Sequence, residues 1–345
     1  MTPSRTTTML VTSAALVIVV AGIKAANEIV GPVMLALALT IVFYPLRARL
    51  ERRLPGWAAS VVLLVAAVVL ILGLTLAIVV SLGQLAKLIP TYSSELNGYV
   101  ADLGEGLSNL GVGSDQSDAM ADAVDADRLV GLATSVFSSL LSILSNLFFI
   151  ITLLLFLAFD SAKVRRLAEG ARAHRPHMVD ALTSFTGGTR SYLGVSAVFG
   201  LIVAVIDTAL LWALGVPGAF VWGVLAFVTN FIPNIGFIIG IIPPAVIALL
   251  EGGPRLMLAV IVLYSLVNVV IQSFIQPRYV GETVGLSTSL TFLSLVFWTW
   301  ILGPVGALLA VPMSLFFRAV LVEADPDGRW RLPLISGKPD EPVGT

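Results

Sequence analysis

The chemistry open to this sequence rests on a few polar residues set inside long apolar runs. Asp207, in Ile206-Asp207-Thr208, is the clear acidic residue within such a run. A carboxylate inside a membrane helix is costly and is usually retained for an ion, a proton or a polar partner. Asp207 is therefore a candidate for ion or proton coupling. The plainer alternative is a structural carboxyl hydrogen-bonded beside Thr208. Further on, Asn230-Phe231-Ile232-Pro233-Asn234-Ile235-Gly236 interrupts another apolar run. A broken helix leaves N–H and C=O groups without intrahelical partners, and these can bind a polar solute or ion without net charge. Asn adds a donor and an acceptor on one side chain. Asn230, Pro233, Asn234 and Gly236 are thus candidate contacts for a substrate. Asn268, Gln272 and Gln276 follow at intervals of four, which places them on one face of a helix. Such a stripe either lines a pathway or joins helices by hydrogen bonds. Gly303, Pro304 and Gly306 mark a second interruption and complete the candidate substrate or ion pathway.

Catalytic chemistry has little to work with. The chain has no cysteine, and we find no GxxxxGK[ST] phosphate loop, no HExxH and no glycine-rich dinucleotide fingerprint. Its two histidines, His174 and His177, stand in an Arg-rich segment and read more simply as a solvated pair than as metal ligands. No enzyme activity, cofactor or metal is implied. Active transport by such a chain would need a gradient or a separate energising partner.

The elements that must position these residues are membrane helices. Of 345 residues, 57% are hydrophobic and only 12% charged, against roughly 45–50% and about 25% in a soluble domain. With 20 Lys+Arg against 21 Asp+Glu the net charge is -1, which gives no footing for nucleic acid. About 20 apolar residues cross a hydrocarbon core of about 30 Å. Apolar runs occur at 9–23, 29–44, 57–82, 136–159, 193–214, 218–232, 235–250, 256–275, 287–302 and 305–321. The first follows Arg5 and ends in small residues, as a cleaved signal peptide would. Lys24 at the cleavage position and the next run only five residues on favour a helical hairpin instead.

Basic residues set the sidedness. Arg47, Arg49, Arg52 and Arg53, then Lys163 to Arg190, then Arg318 to Lys338 mark cytoplasmic segments by the positive-inside rule. The acidic 83–135 segment is then outside and both termini are cytoplasmic. This gives N-terminal transmembrane helices over 1–82, an extracytoplasmic segment over 83–135, a transmembrane helix over 136–159 and a basic cytoplasmic segment over 160–192. A transport core over 193–321 and a cytoplasmic tail over 322–345 follow. Leu85, Leu88, Ile89, Tyr92, Leu96, Tyr99, Val100, Leu103 and Leu107 form one helical stripe outside. It is a helix lying on the membrane, an oligomer contact or a cover over a pathway. The arginines of 160–190 are expected to meet anionic lipid headgroups.

In the transport core, both interruptions join short apolar halves and carry no charge. That pattern favours re-entrant hairpins whose tips stop inside the protein, since non-helical backbone at membrane depth needs protein or a wet cavity around it. Simple crossings would return the chain to the same side equally well. With hairpins, a helix plus a hairpin is used twice in opposite orientation, the layout of secondary transporters. The expected fold is an all-α polytopic membrane protein. It has about six transmembrane crossings plus two re-entrant helical hairpins in an inverted repeat, from 8–10 hydrophobic segments.

Five motifs in order carry a resemblance. They are Leu214-Gly215-Val216-Pro217, Asn230 to Gly236, Gln276-Pro277-Arg278-Tyr279-Val280-Gly281, Gly303-Pro304-Val305-Gly306 and Ala310-Val311-Pro312. With Tyr44-Pro45-Leu46 and Asp160, they resemble the autoinducer-2 exporter family of bacterial membrane proteins over nearly the whole chain. The resemblance implies transport of a small molecule across the inner membrane, either the signal autoinducer-2 or a related solute, or sodium/proton exchange. Asp207 departs from the family pattern, which usually has a small or neutral residue there. Implied partners are the solute or ion, membrane lipids and a further copy of the chain. A passive channel and a non-transporting scaffold that docks through 83–135 remain as alternatives.

Overall fold

A computed structural model describes residues 5–91, 131, 138, 146–233, 235–276 and 285–336. Outside the described residues lie most of the acidic segment with its stripe from Tyr92 to Leu107, the start of the 136–159 run, Asn234, the 277–281 motif and Lys338. The elements are α1 (Arg5–Ala25), α2 (Asn27–Leu50), α3 (Gly56–Thr91), α4 (Leu147–Arg172), α5 (Pro176–Ala213), α6 (Ala219–Thr229), α7 (Gly236–Val269), α8 (Thr288–Arg318) and α9 (Leu332–Ser336). A π-helical turn, Val270–Ile275, continues α7, and another, Ala319–Glu323, continues α8. The protein is an all-α polytopic membrane protein. Phe148, Trp212 and Phe220 are 80%, 79% and 73% exposed, a surface that water would penalise and lipid tails accept.

The expected hairpin of the first two runs is corrected. A single residue, Ala26, joins α1 to α2. Its N–H donates to the Gly22 carbonyl at 3.0 Å, and Val30 N–H donates to the Ala26 carbonyl at 2.9 Å. Helical bonding therefore continues on both sides of the joint. One residue with φ -98° and ψ 22° bends a helix and does not reverse it.

The chain forms two compact units. The first comprises Met1–Val68, Asn146–Gly194 and Glu282–Thr345, and the second Val69–Ser145 and Val195–Gly281. In the first unit α2 packs against α4 and α8. Ile41, Phe185, Val311 and Leu315 form part of its core. In the second, α5, α6 and α7 close around Leu211, Trp222, Ile247, Ala248 and Val260.

Length and apolarity alone would make α7 and α8 single spans. Each instead folds back on itself. In α8 the Trp298 indole N–H donates to the Ser314 hydroxyl at 3.0 Å, and the rings of Trp298 and Phe317 lie 5.2 Å apart. A straight helix would hold residues 298 and 314 about 24 Å apart. The reversal is at Gly303, with φ 64° and ψ -147°, followed by Pro304. Glycine carries the positive φ without a Cβ penalty, and proline needs no helical N–H donor at the start of the returning arm. In α7 the same pair, Gly253 (φ 71°, ψ -170°) and Pro254, lets residue 264 return to residue 240. Hence α7 is an arm over 236–252 and a second over 254–269, and α8 has arms over 288–302 and 304–318.

The interruptions thus fall where the Pro/Gly clusters were read. Helix α6 ends at Thr229 and α7 starts at Gly236. With 11 residues, α6 is about 16 Å long, half a bilayer core. It pairs with the first arm of α7 as a short hairpin, and the two arms of α8 form the other.

Candidate functional site: a buried polar ladder

Most of the singled-out polar residues converge within the second unit. Helix α5 supplies Asp207, the end of α6 supplies Asn230, and the second arm of α7 with its π-helical turn supplies Asn268 and Gln272. Asn268 and Gln272 are four apart, and the Gln272 amide N–H donates to the Asn268 carbonyl oxygen at 3.0 Å. Gln272 also donates to Asn230 Oδ1 at 3.2 Å. Asn230 Nδ2 in turn donates to the Ser196 carbonyl at 2.9 Å. At the other end, Asn268 Nδ2 donates to the Tyr264 carbonyl at 3.0 Å and makes a longer contact, 3.5 Å, with Asp207 Oδ2.

The result is a continuous ladder from the Ser196 carbonyl to the Asp207 carboxylate. Residues 196 and 207 are on one helix, so it extends about 16 Å along the membrane-crossing direction. Every side chain in it except Asp207 is uncharged. Asp207 is 0%, Tyr264 1% and Asn268 3% exposed, so the carboxylate end is walled off from lipid, while Asn230 and Gln272 are half-buried.

Its carboxylate end is incompletely satisfied. The Tyr264 hydroxyl faces the Asp207 carboxylate as a hydrogen-bond donor, and neither that hydroxyl nor Asp207 Oδ1 has any other partner. Buried polar atoms are nearly always paired, because an unpaired one forfeits about 1–3 kcal/mol. With only each other as partners, these two oxygens are a place where a proton, an ion or a polar solute group could be accommodated.

Small residues let the ladder form. A methyl group on Gly200 would lie 2.9 Å from Asn230 Nδ2, and one on Gly240 would lie 2.9 Å from both the Tyr264 hydroxyl and the Thr229 hydroxyl. At Gly236 a Cβ would run into the Thr229 carbonyl. Glycine there sets how tightly the hairpin closes behind Asn230. Thr208, next to Asp207, turns to another face. Its hydroxyl caps the Ala204 carbonyl at 2.6 Å and borders an apolar cavity of about 440 Å³ between α5 and α6.

The remaining candidates are placed differently. Pro233 belongs to the turn at the hairpin apex, where the Ile235 N–H donates to its carbonyl at 2.7 Å. Gln276 follows the π-helical turn, which widens the helix and ends the strict four-residue register. Gly303 and Pro304 form the apex of α8 in the first unit, and Gly306 is buried where a Cβ would meet the Trp298 carbonyl. Sequence reading missed Tyr264, Thr229 and the Ser196 carbonyl. Tyr264 was within reach, because it extends the Asn268 and Gln272 spacing by one more step of four. The other two could not be found without the tertiary contact. Among the described residues, no three His, Cys, Asp or Glu side chains gather as a metal site.

Comparison with known proteins gives the chain a family. The model of the AI-2E family transporters matches residues 14–324. The AI-2 transport protein TqsA of Escherichia coli (strain K12) is 32% identical over 308 residues, 89% of each chain. A candidate transport protein of Haemophilus influenzae is 31% identical, over 91% of this chain and 92% of the relative. The candidate transport protein YhhT of Escherichia coli (strain K12) is 31% identical, over 87% of this chain and 86% of that one.

Proposed function

Because this chain belongs to the AI-2E family of transporters, we propose that it is a secondary transporter. It exports a small polar molecule across the bacterial inner membrane and carries it along the ladder from Ser196 to Asp207. The Arg-rich segments and the C-terminus face the cytoplasm by the positive-inside rule. The substrate is a hydroxyl-bearing solute of the autoinducer-2 kind, the cargo named for the TqsA relative.

The observation that carries this reading is the ladder itself. It combines amide donors and acceptors with one carboxylate along about half the bilayer. The exchangeable hydrogen bonds of Asn and Gln suit an uncharged polyol. A solute hydroxyl could displace the Gln272–Asn230 bond without leaving a bare charge. Alternating exposure of this ladder to the two sides would complete a transport cycle, with the energy drawn from a gradient.

Flux of candidate solutes into proteoliposomes tests the reading. Saturable uptake that falls at least tenfold in Asn230→Ala and Gln272→Ala supports it. Non-saturating, electrodiffusive flux would make the protein a channel, and unchanged flux in both variants would remove the ladder from the pathway.

A second reading, exchange of sodium ions for protons, is favoured by the buried Asp207 carboxylate, whose Oδ1 has no partner beyond the facing Tyr264 hydroxyl. Asp207→Asn distinguishes the two. Loss of flux under an imposed ion gradient, with solute equilibration kept, assigns coupling to this carboxyl.

A further inference from the structure

Away from the ladder, neither arm of α8 carries a charge before Arg318, at the base of the hairpin. A membrane helix meets water where charge resumes, so this base marks a membrane face. The chain is then held at that face. Arg318 donates to the Gly285 carbonyl, just ahead of the first arm, and its Nε lies 2.7 Å from Glu323 Oε1, just behind the second. Further on, the Ile335 carbonyl accepts from Ser287 N–H at 2.9 Å. Ser287 is also the residue whose hydroxyl caps the first arm, accepting from Leu290 N–H at 3.3 Å. The segment Pro326–Ser336, a 3₁₀ turn followed by α9, is thus tied back to the hairpin base at its far end.

Two features of this segment do not suit water. Trp330 is 62% and Leu334 74% exposed, while Leu332 and Ile335 turn partly inward. The guanidinium of Arg331 lies 5.3 Å from the centre of the Trp330 ring, and among the described residues no carboxylate neutralises it. Over Pro326–Ser336, Arg329 and Arg331 stand against one acid, Asp327. A headgroup layer accepts this combination. The indole takes the boundary, the leucine the upper acyl chains and the guanidinium a phosphate.

We propose that Pro326–Ser336 is an interfacial foot, lying on the membrane face at the base of α8. Trp330 and Leu334 insert among the lipid headgroups and upper acyl chains, and Arg331 sits on a lipid phosphate. The choice of lipid over protein follows from position. The Arg318 and Ile335 contacts hold the segment at the level where charge resumes, and that level is the headgroup layer itself. The foot depends only on membrane embedding and stands apart from the transport pathway.

Spin labelling tests the proposal. The chain has no cysteine, so Leu334→Cys gives a single labelled site in the full-length protein. In vesicles of phosphatidylethanolamine and phosphatidylglycerol, the label should meet dissolved oxygen more often than a water-soluble nickel chelate. Its depth should be about 5–10 Å within the headgroup and acyl boundary. Adding Trp330→Ser and Arg331→Gln should lower the ratio of inserted to water-exposed label at least about fivefold, the step that one basic residue confers at an anionic surface. All three positions are exposed, so the core of the unit is untouched and the change reports on the foot. A label that meets the chelate freely in the otherwise unaltered chain would overturn the proposal. So would a label shielded from oxygen and chelate alike, which assigns this face to a protein partner or a second copy, or a ratio unchanged by the two added substitutions.

Discussion

The hairpin of α6 with the first arm of α7 and the hairpin within α8 both turn an apolar helix back over a short distance, yet their surroundings differ in kind. In the first, Asn230 leaves the apex to donate to the Ser196 carbonyl and to accept from Gln272. Its polar groups join a ladder that ends on the buried Asp207 carboxylate, faced by the Tyr264 hydroxyl. In the second, the arms close on themselves through Trp298 and Ser314, Trp298 and Phe317, and a layer of buried aliphatic residues that includes Leu309, Ala310 and Val311. Val305, beside its apex, faces Gly31, where an added Cβ would lie 3.8 Å from Val305 Cγ1. A Pro/Gly interruption announces a reversal, but the side chains that meet it decide whether the reversal offers polar groups or builds a core.

The sharpest way to break this contrast is functional. Asn230→Ala should lower flux by an order of magnitude or more, whereas Ser314→Ala should leave flux within about twofold, because one group lies on the ladder and the other in a dry contact. Equal losses in proteoliposomes would erase the distinction between the hairpins.

A large structural effect is expected at Gly306. An added methyl must displace the Trp298 carbonyl and the Leu302 side chain, so Gly306→Ala should cost about 3 kcal/mol, the upper range for overpacking. The unfolding midpoint in micelles reads it, with Gly187→Ala as the control in open space.

Gly253→Ala and Gly303→Ala sharpen the comparison from the other side. Each should cost about 1–2 kcal/mol from a Cβ at positive φ, and at Gly303 no neighbour adds to it, since nothing lies within 4 Å of a Cβ there. Clearly unequal losses would mean that environment contributes as well. The smallest effect belongs to Ser314→Ala itself. Removing the acceptor of the Trp298 indole should destabilise the second hairpin by about 1 kcal/mol, visible as a small fall in midpoint and a shift of tryptophan emission.

Much of this architecture was legible residue by residue. Ten apolar runs, the break at 230–235 and the break at Gly303-Pro304 follow from the length of helix a bilayer demands and from the backbone limits of glycine and proline. The bend at Ala26 was not legible, since five residues between apolar runs look the same whether a helix reverses or merely bends. Only the hydrogen bonds across the joint tell them apart. The candidate site was half legible. Asn268 and Gln272 declared their shared face through their spacing, and Asp207 stood out as a carboxylate among aliphatics. That these meet Asn230 depends on α5, the α6 apex and α7 coming together at Gly200 and Gly240, and nothing local in the sequence fixes those approaches.

By itself, the sequence determined that the chain lives in a membrane, where its Pro/Gly clusters interrupt the helices and which polar residues it keeps there. Those properties are set by local physics, namely the cost of burying charge, the rise per helical residue and the steric freedom of single positions. The tertiary structure alone decided which polar residues bond to one another, that Tyr264 faces Asp207 and that the second interruption closes on a dry core. Such pairings join atoms 16 to 61 residues apart in the chain, and only the packing of whole helices brings them within hydrogen-bonding distance.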